Sequence, residues 1–194
     1  MLAIGDQRHL TDIKKPVKQA RLHVGMAQVL ILYATTEGHT ARVAERMAQG
    51  LRAQGHKVEA LRAEPSAIAP DFERYDGVIV GASVHYGRHP ARLRSLVRAQ
   101  RAALAGRPGA FFSVCLSGKE HYREKFLRQC GWAPPHQATF TGALQYSKYG
   151  PFKRLVVMGF AWMGGHDTDP SKDYDYTNWK AVESFATAFS RQLR

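Results

Sequence analysis

Cysteine is scarce: the 194-residue chain holds two, Cys115 and Cys130. That is too few for a disulfide framework, and their separation matches no zinc-ligand spacing, so two reduced thiols in a cytoplasmic protein are expected. Acids are scarce too, 16 against 28 Lys and Arg, for a formal net charge of +12. Such a surplus draws a protein toward something anionic, whether nucleic acid, a membrane surface or an acidic substrate. The sequence has no clustered Lys and Arg interleaved with aromatics and no recognition motif, which argues against nucleic acid. The apolar stretch from Leu155 to Met163 is far short of the ~20 residues that span a bilayer. No apolar core of a secretory signal follows the positive start. Internal repeats and low-complexity tracts are missing as well.

What is present fits one domain with a real core, since 44% of the residues are hydrophobic and 23% charged. Residues 1–25 stand apart, with five cations (Arg8, Lys14, Lys15, Lys18, Arg21) against two acids (Asp6, Asp12) and neither strand nor helix periodicity. They read as a flexible basic extension, with Met26 as an alternative start of translation. Residues 26–194 read as a single domain that keeps the remaining positive charge.

From Gln28 onward short apolar runs alternate with helical patterns, which argues for βαβ units and a parallel sheet covered on both faces. Strands are expected at 28–34, 57–63, 75–83, 109–115 and 137–146, the last interrupted by Gly142. Helices are expected over 40–54, stopped by Gly55, then from Pro90 through Leu104, over 119–130, and over 178–193 behind Thr177 as N-cap. Five strands with these connections fit a flavodoxin-like doubly wound sheet of order 2-1-3-4-5, whose ligand sits beyond the carboxyl ends of the strands at the switch point.

Three loops should converge there. "TTEGHT" (35–40) lacks both a Gly-x-Gly-x-x-Gly and a P-loop lysine, yet offers hydroxyls, a glycine and a helix N-terminus, which suits a phosphate that is bound rather than transferred. "GASVHYGRHP" (81–90) sets His85 and Tyr86 between glycines, so that the backbone can lie against a flat ligand and an aromatic can stack on it. "SVCLSG" (113–118) is small and glycine-ended.

"TTEGHT" resembles the FMN phosphate loop of flavodoxins. With "VIVGASVHYGRHP", "FFSVCLSG", "TGALQYSKY" and "WMGGHDTD" before "DYTNW", in that order, the chain from Met26 onward resembles the menaquinone-dependent protoporphyrinogen IX dehydrogenases. The resemblance implies an FMN enzyme of haem synthesis that oxidises protoporphyrinogen IX and passes electrons to a membrane quinone, menaquinone or ubiquinone. By position it places Thr35, Thr36, Glu37, Gly38, His39 and Thr40 around the FMN phosphate. Ala82, Ser83, Val84, His85, Tyr86 and Gly87 fall on one side of the flavin ring, and Ser113, Val114, Cys115, Leu116, Ser117 and Gly118 on the other. Members of that family carry a longer insertion after the fourth strand, where this chain has only "LSGKEHYREKF". A flavodoxin-like electron carrier or an NAD(P)H:quinone reductase would keep the same loops.

Histidine titrates near neutrality, which makes His85 the candidate catalytic base. Arg88, His89, Arg92, Lys119, Lys148 and Lys153 are the cations expected to face substrate or membrane. The segment "PFKRLVVMGFAWMGG" (151–165) has two readings: a helix lying in an anionic membrane interface through Phe152, Val156, Phe160 and Trp162, or a helix buried over the sheet. No metal is expected; His166, Asp167 and Asp169 read as turn-capping residues.

Overall fold

Five short strands, the three central ones apolar runs, make one parallel sheet of order β2-β1-β3-β4-β5. The computed structural model describes residues 25–64 and 69–193, so the extension read at the N-terminus, Gly25 apart, lies outside the described residues. The strands are β1 (Gln28–Ala34), β2 (Lys57–Arg62), β3 (Gly77–Ser83), β4 (Gly109–Cys115) and β5 (His136–Thr141). β3 and β4 are buried almost end to end because helices cover both faces, whereas β2 at the edge alternates exposed and half-buried residues.

Helices α1 (His39–Ala53) and α6 (Trp179–Ser190) cover one face; their Val43, Met47, Leu51, Val182 and Phe189 pack with Ile31, Ile79 and Phe112. On the other face α2 (Ala91–Ala99), α3 (Arg101–Ala105) and α4 (His121–Cys130) bring Leu93, Val97, Leu104 and Phe126 against Leu30, Val80 and Phe111. Gly81 and Phe112 pair across β3 and β4, and a Cβ at Gly81 would run into the Phe112 ring, so the glycine is what lets that ring lie on the strand. Strand order reverses between β1 and β3, so the loops that follow them diverge and leave a crevice.

The structure departs from expectation in three places. The helix expected from Pro90 through Leu104 bends at Gln100 into α2 and α3, although Gln100 N–H still bonds the Leu96 carbonyl. The strand expected over 137–146 ends at Thr141, because Gly142 turns the chain and donates to the Cys115 carbonyl at 3.2 Å. Its remainder, β6 (Ala143–Gln145), pairs antiparallel with β7 (Asp173–Asp175) in a separate two-stranded sheet. Third, Asn178 and not Thr177 caps α6, its Oδ1 accepting from Ala181 N–H at 3.0 Å.

Helix α5 (Pro151–Met163) packs on that small sheet rather than on the main one. Leu144, Tyr146, Tyr149 and Ala161 form a satellite core with Val157, Met158, Tyr174 and Tyr176. The result is a second layer standing beside the carboxyl ends of the main strands.

Candidate functional site

A cleft of about 550 Å³ is bounded by the loops that follow β1, β3 and β4. Thr35, Thr36, Glu37, His39 and Thr40 line it from the first loop, Ser83 through Gly87 from the second, and Val114 through Ser117 from the third. Of the remaining residues expected there, Gly38, Ala82, Ser113 and Gly118 do not line it. A far wall that sequence reasoning did not assign to a cofactor comes from Gly142 to Leu144, Tyr149, Lys153, Val156 and Val157.

The first loop leaves α1 without a protein cap. Gly38 takes the left-handed conformation (φ 88°) that glycine tolerates, its N–H donates to Thr35 Oγ1 at 2.9 Å, and no side chain caps the helix. The first N–H groups of a helix have no intrahelical partner, and here they carry the positive end of its dipole. Thr40 is 1% exposed, yet its hydroxyl has no hydrogen-bond partner; the buried Ser83 hydroxyl at the end of β3 has none either. Such a group costs roughly 1–3 kcal/mol when left unmade. Two such groups stand on one cleft, with no protein atom among the described residues to satisfy either.

His39 is engaged elsewhere. Thr177 Oγ1 donates to the Thr141 carbonyl at 2.9 Å, so the 2.6 Å contact with His39 Nε2 requires that nitrogen to carry the proton. Nδ1 then faces Arg42 Nη1 at 3.5 Å as acceptor. Burial lowers the His39 pKa, against the pull of Asp175, so the ring is neutral. Its contribution toward an anion is the backbone N–H at the start of α1.

Glu37 ties the first loop to the second layer. Its Oε2 accepts from Tyr149 OH at 2.5 Å and its Oε1 lies 2.7 Å from Lys153 Nζ, which also sits 4.5 Å over the Tyr149 ring. Burial and the Glu37 carboxylate both push the Tyr149 phenol up, keeping it protonated. No local pattern announces these contacts, because the partners are 112 and 116 residues apart.

The second loop is a tight turn in which His85 and Arg88 exchange backbone hydrogen bonds of 2.8 and 3.1 Å. Tyr86 (φ 48°) and Gly87 (φ 72°) both hold positive φ, as a type I′ turn demands. For a tyrosine that is a strained conformation of the kind that clusters at functional sites. Tyr86 is 73% exposed at the cleft rim, and its ring meets the edge of His85 at 4.2 Å. Neither His85 ring nitrogen has a hydrogen-bond partner among the described residues.

The cations expected at the mouth separate. Lys148 and Lys153 border the first loop, and Arg88, Arg92 and Lys119 are exposed. His89 does not belong with them: it is buried, bonds Ser113 Oγ at 2.9 Å, and is held neutral by burial and by Arg94, which lower its pKa to about 4. Asp169 closes a turn by accepting from Ser171 N–H and Oγ at 3.0 and 2.6 Å. Among the described residues no group of three potential metal ligands comes together, and no helix is long and apolar enough to cross a membrane.

Comparison with known proteins agrees with this geometry. A flavodoxin domain model matches residues 30–171. A protoporphyrinogen IX dehydrogenase [quinone] from Escherichia coli K12 is 31% identical over 168 residues, covering 82% of this chain and 92% of its own, and a protein of the same name from Leishmania major is 34% identical over 83% of this chain and 74% of its own. The chain belongs to this flavodoxin-type dehydrogenase family. Relatives of the dehydrogenase extend further, to an NAD(P)H dehydrogenase (quinone) from Paraburkholderia phymatum, 30% identical over 72% of this chain and 81% of its own. Flavodoxin 1 of Bacillus cereus shares the fold with a TM-score of 0.55 at 18% identity, covering 86% of this chain and 99% of its own. Membership implies a flavin. The uncapped helix and the unpartnered hydroxyls of Thr40 and Ser83 are the polar groups such a ligand needs.

Proposed function

We propose that this dehydrogenase is FMN-dependent and oxidises protoporphyrinogen IX to protoporphyrin IX in haem synthesis, with a membrane quinone, menaquinone or ubiquinone, as acceptor. The observation that carries the reading is the pair of buried, unpartnered hydroxyls, Thr40 and Ser83, on one cleft at the switch point of a flavodoxin sheet. The names of the curated relatives supply the substrate and the acceptor.

In this reading Thr35, Thr36, Thr40 and the first N–H groups of α1 hold the FMN phosphate, while Ser83 to Gly87 and Val114 to Ser117 flank the ring. FMN supplies the hydride acceptor on the way to quinone. Leu116, Val156 and Val157 keep that part of the cleft dry. His85, with its ring nitrogens unpartnered, accepts the proton that substrate loses, and Tyr86 offers a flat apolar face at the rim. The surplus of cations suits the carboxylates of a tetrapyrrole.

The acceptor enters from a bilayer against which α5 lies. Phe152, Leu155, Trp162 and Met163 are 68–81% exposed and fall within about 100° of the helix circumference, an apolar stripe. Val156, also expected to meet lipid, turns into the cleft, and the Phe160 side chain lies outside the described residues. Four such side chains present roughly 600 Å², short of the ~800 Å² per partner that a stable dimer buries. Two copies at +12 also repel each other, whereas an anionic bilayer attracts that charge. Lys153, expected to face substrate or membrane, bonds Glu37 instead, and Arg154 bonds the carbonyls of Tyr146 and Tyr149, so the attraction rests on the overall charge.

The test is anaerobic reduction of the FMN-loaded protein. Protoporphyrinogen IX should bleach the flavin spectrum and a menaquinone analogue should restore it, with NADPH doing neither. Bleaching by NADPH alone would turn the assignment to an NAD(P)H:quinone reductase, and a colourless protein that cannot be loaded with FMN would overturn it.

A further inference from the structure

The geometry points to Lys148 as the residue that makes this site select a phosphorylated flavin over an unphosphorylated one. The inference rests on the FMN reading above and adds to it a cation from outside the phosphate loop.

In a cradle built from a loop and a helix end, the donors are neutral amides and hydroxyls, and "TTEGHT" supplies those. The same loop also carries Glu37, whose carboxylate would repel a phosphate. That charge is neutralised by the Lys153 ammonium at 2.7 Å, while the Tyr149 hydroxyl donates to the other carboxylate oxygen at 2.5 Å. Lys153 is thereby committed. His39 adds no charge, being neutral with its ring engaged by Thr177 and Arg42, and Arg42 pairs with Asp175 at 3.1 Å.

Lys148 is different. It lies in the 3-10 turn Tyr146–Lys148 between β6 and α5, and its ammonium reaches across to the first loop. Nζ stands 3.5 Å from the Glu37 carbonyl and 3.9 Å from where a Cβ on Gly38 would sit, and its charge helps lower the His39 pKa. It heads no ion pair among the described residues. Its charge also acts on Asp173, a carboxylate already held by Ser147 N–H at 2.9 Å and Ser147 Oγ at 2.6 Å. An ammonium with no carboxylate partner among the described residues, holding only a long 3.5 Å hydrogen bond to the Glu37 carbonyl, thus overhangs the glycine that opens an uncapped helix, and the first turn of that helix carries a buried threonine hydroxyl with no partner. A dianionic phosphate monoester is the ligand chemistry that satisfies all three together.

Fluorescence titration with FMN and with riboflavin tests this without reference to turnover. Wild-type protein should bind FMN more tightly than riboflavin, with an FMN affinity that falls as salt is raised. Lys148→Ala should weaken FMN about tenfold or more, flatten its salt dependence and leave riboflavin unchanged, so that riboflavin binding doubles as the check on folding. Lys148→Arg should restore most of the preference. A Lys148→Ala protein that keeps the wild-type FMN-to-riboflavin ratio overturns the role of Lys148 and leaves the cofactor reading intact. Wild-type protein that binds neither flavin overturns both.

Discussion

Lys153 on α5 and Glu37 in the loop after β1 form an ion pair of 2.7 Å across 116 residues of chain, with Tyr149 OH on the other carboxylate oxygen. The pair joins the helix of the second layer to the loop that begins α1. Both partners are partly shielded from water, so the contact is worth more than an open surface pair, which contributes ~0–1 kcal/mol. Lys153→Met should cost about 1 kcal/mol of stability, Glu37→Gln a similar amount, and the double variant less than their sum because the two residues share one interaction. Urea unfolding of the four proteins measures this; strictly additive losses would show that the contact contributes nothing of its own.

Thr40 separates stability from binding. Its hydroxyl is buried and unpartnered, so Thr40→Val removes an unsatisfied group at nearly constant volume and should leave the flavin-free protein as stable as wild type or up to ~1 kcal/mol more so. FMN affinity should meanwhile fall at least tenfold. Thermal unfolding and flavin titration read the two effects separately, and a loss of stability without a loss of affinity would make Thr40 an ordinary core residue.

The apolar stripe on α5 should be dispensable for folding and necessary for membrane binding. Leu155→Glu with Trp162→Glu places charges at positions already 68% and 77% exposed, so circular dichroism should be unchanged. Co-sedimentation with anionic vesicles at low salt should be lost in the variant and weakened by salt in wild type. Wild-type protein that stays in the supernatant and migrates as a dimer would assign the stripe to a second copy of the chain.

His89 makes stability depend on pH. Burial and Arg94 lower its folded pKa to about 4 from an ordinary value of 6.5, so between those values the unfolded chain binds a proton that the folded one does not. Stability is therefore full above pH ~6.5 and falls as the solution is acidified toward pH 4, by roughly 3 kcal/mol from this one group. Urea midpoints measured at pH 7 and pH 4.5 should differ less in a His89→Gln variant; an equal drop would assign the acid sensitivity to other groups.

Periodicity in the sequence was enough for the five strands, because β1, β3 and β4 are compact apolar runs that only a doubly covered parallel sheet can bury, and their number and connections fitted the doubly wound order. Thr35, Thr36 and Thr40 were legible as lining the loop at the strand ends for a related reason: hydroxyls and a glycine between a strand and a helix are a local pattern. Other features had no local signature. Gly142 could be read as an interruption, but the departure of Ala143–Gln145 into a second sheet depended on pairing with Asp173–Asp175, some 30 residues on. His89 read as a surface cation until Ser113 and the rings of Phe111 and Phe126 enclosed it. Thr177 read as a helix cap until His39 and the Thr141 carbonyl took up its hydroxyl. The sequence by itself determined the sheet, the loops at its carboxyl ends and the sign of the charge, since these follow from neighbours within a few residues. Tertiary structure alone decided which ammonium neutralises Glu37, which one overhangs Gly38 and which face of α5 is left to the surroundings, because those outcomes depend on contacts outside the local sequence pattern, across more than a hundred positions for the two ammonium groups and across the small β6–β7 sheet for α5.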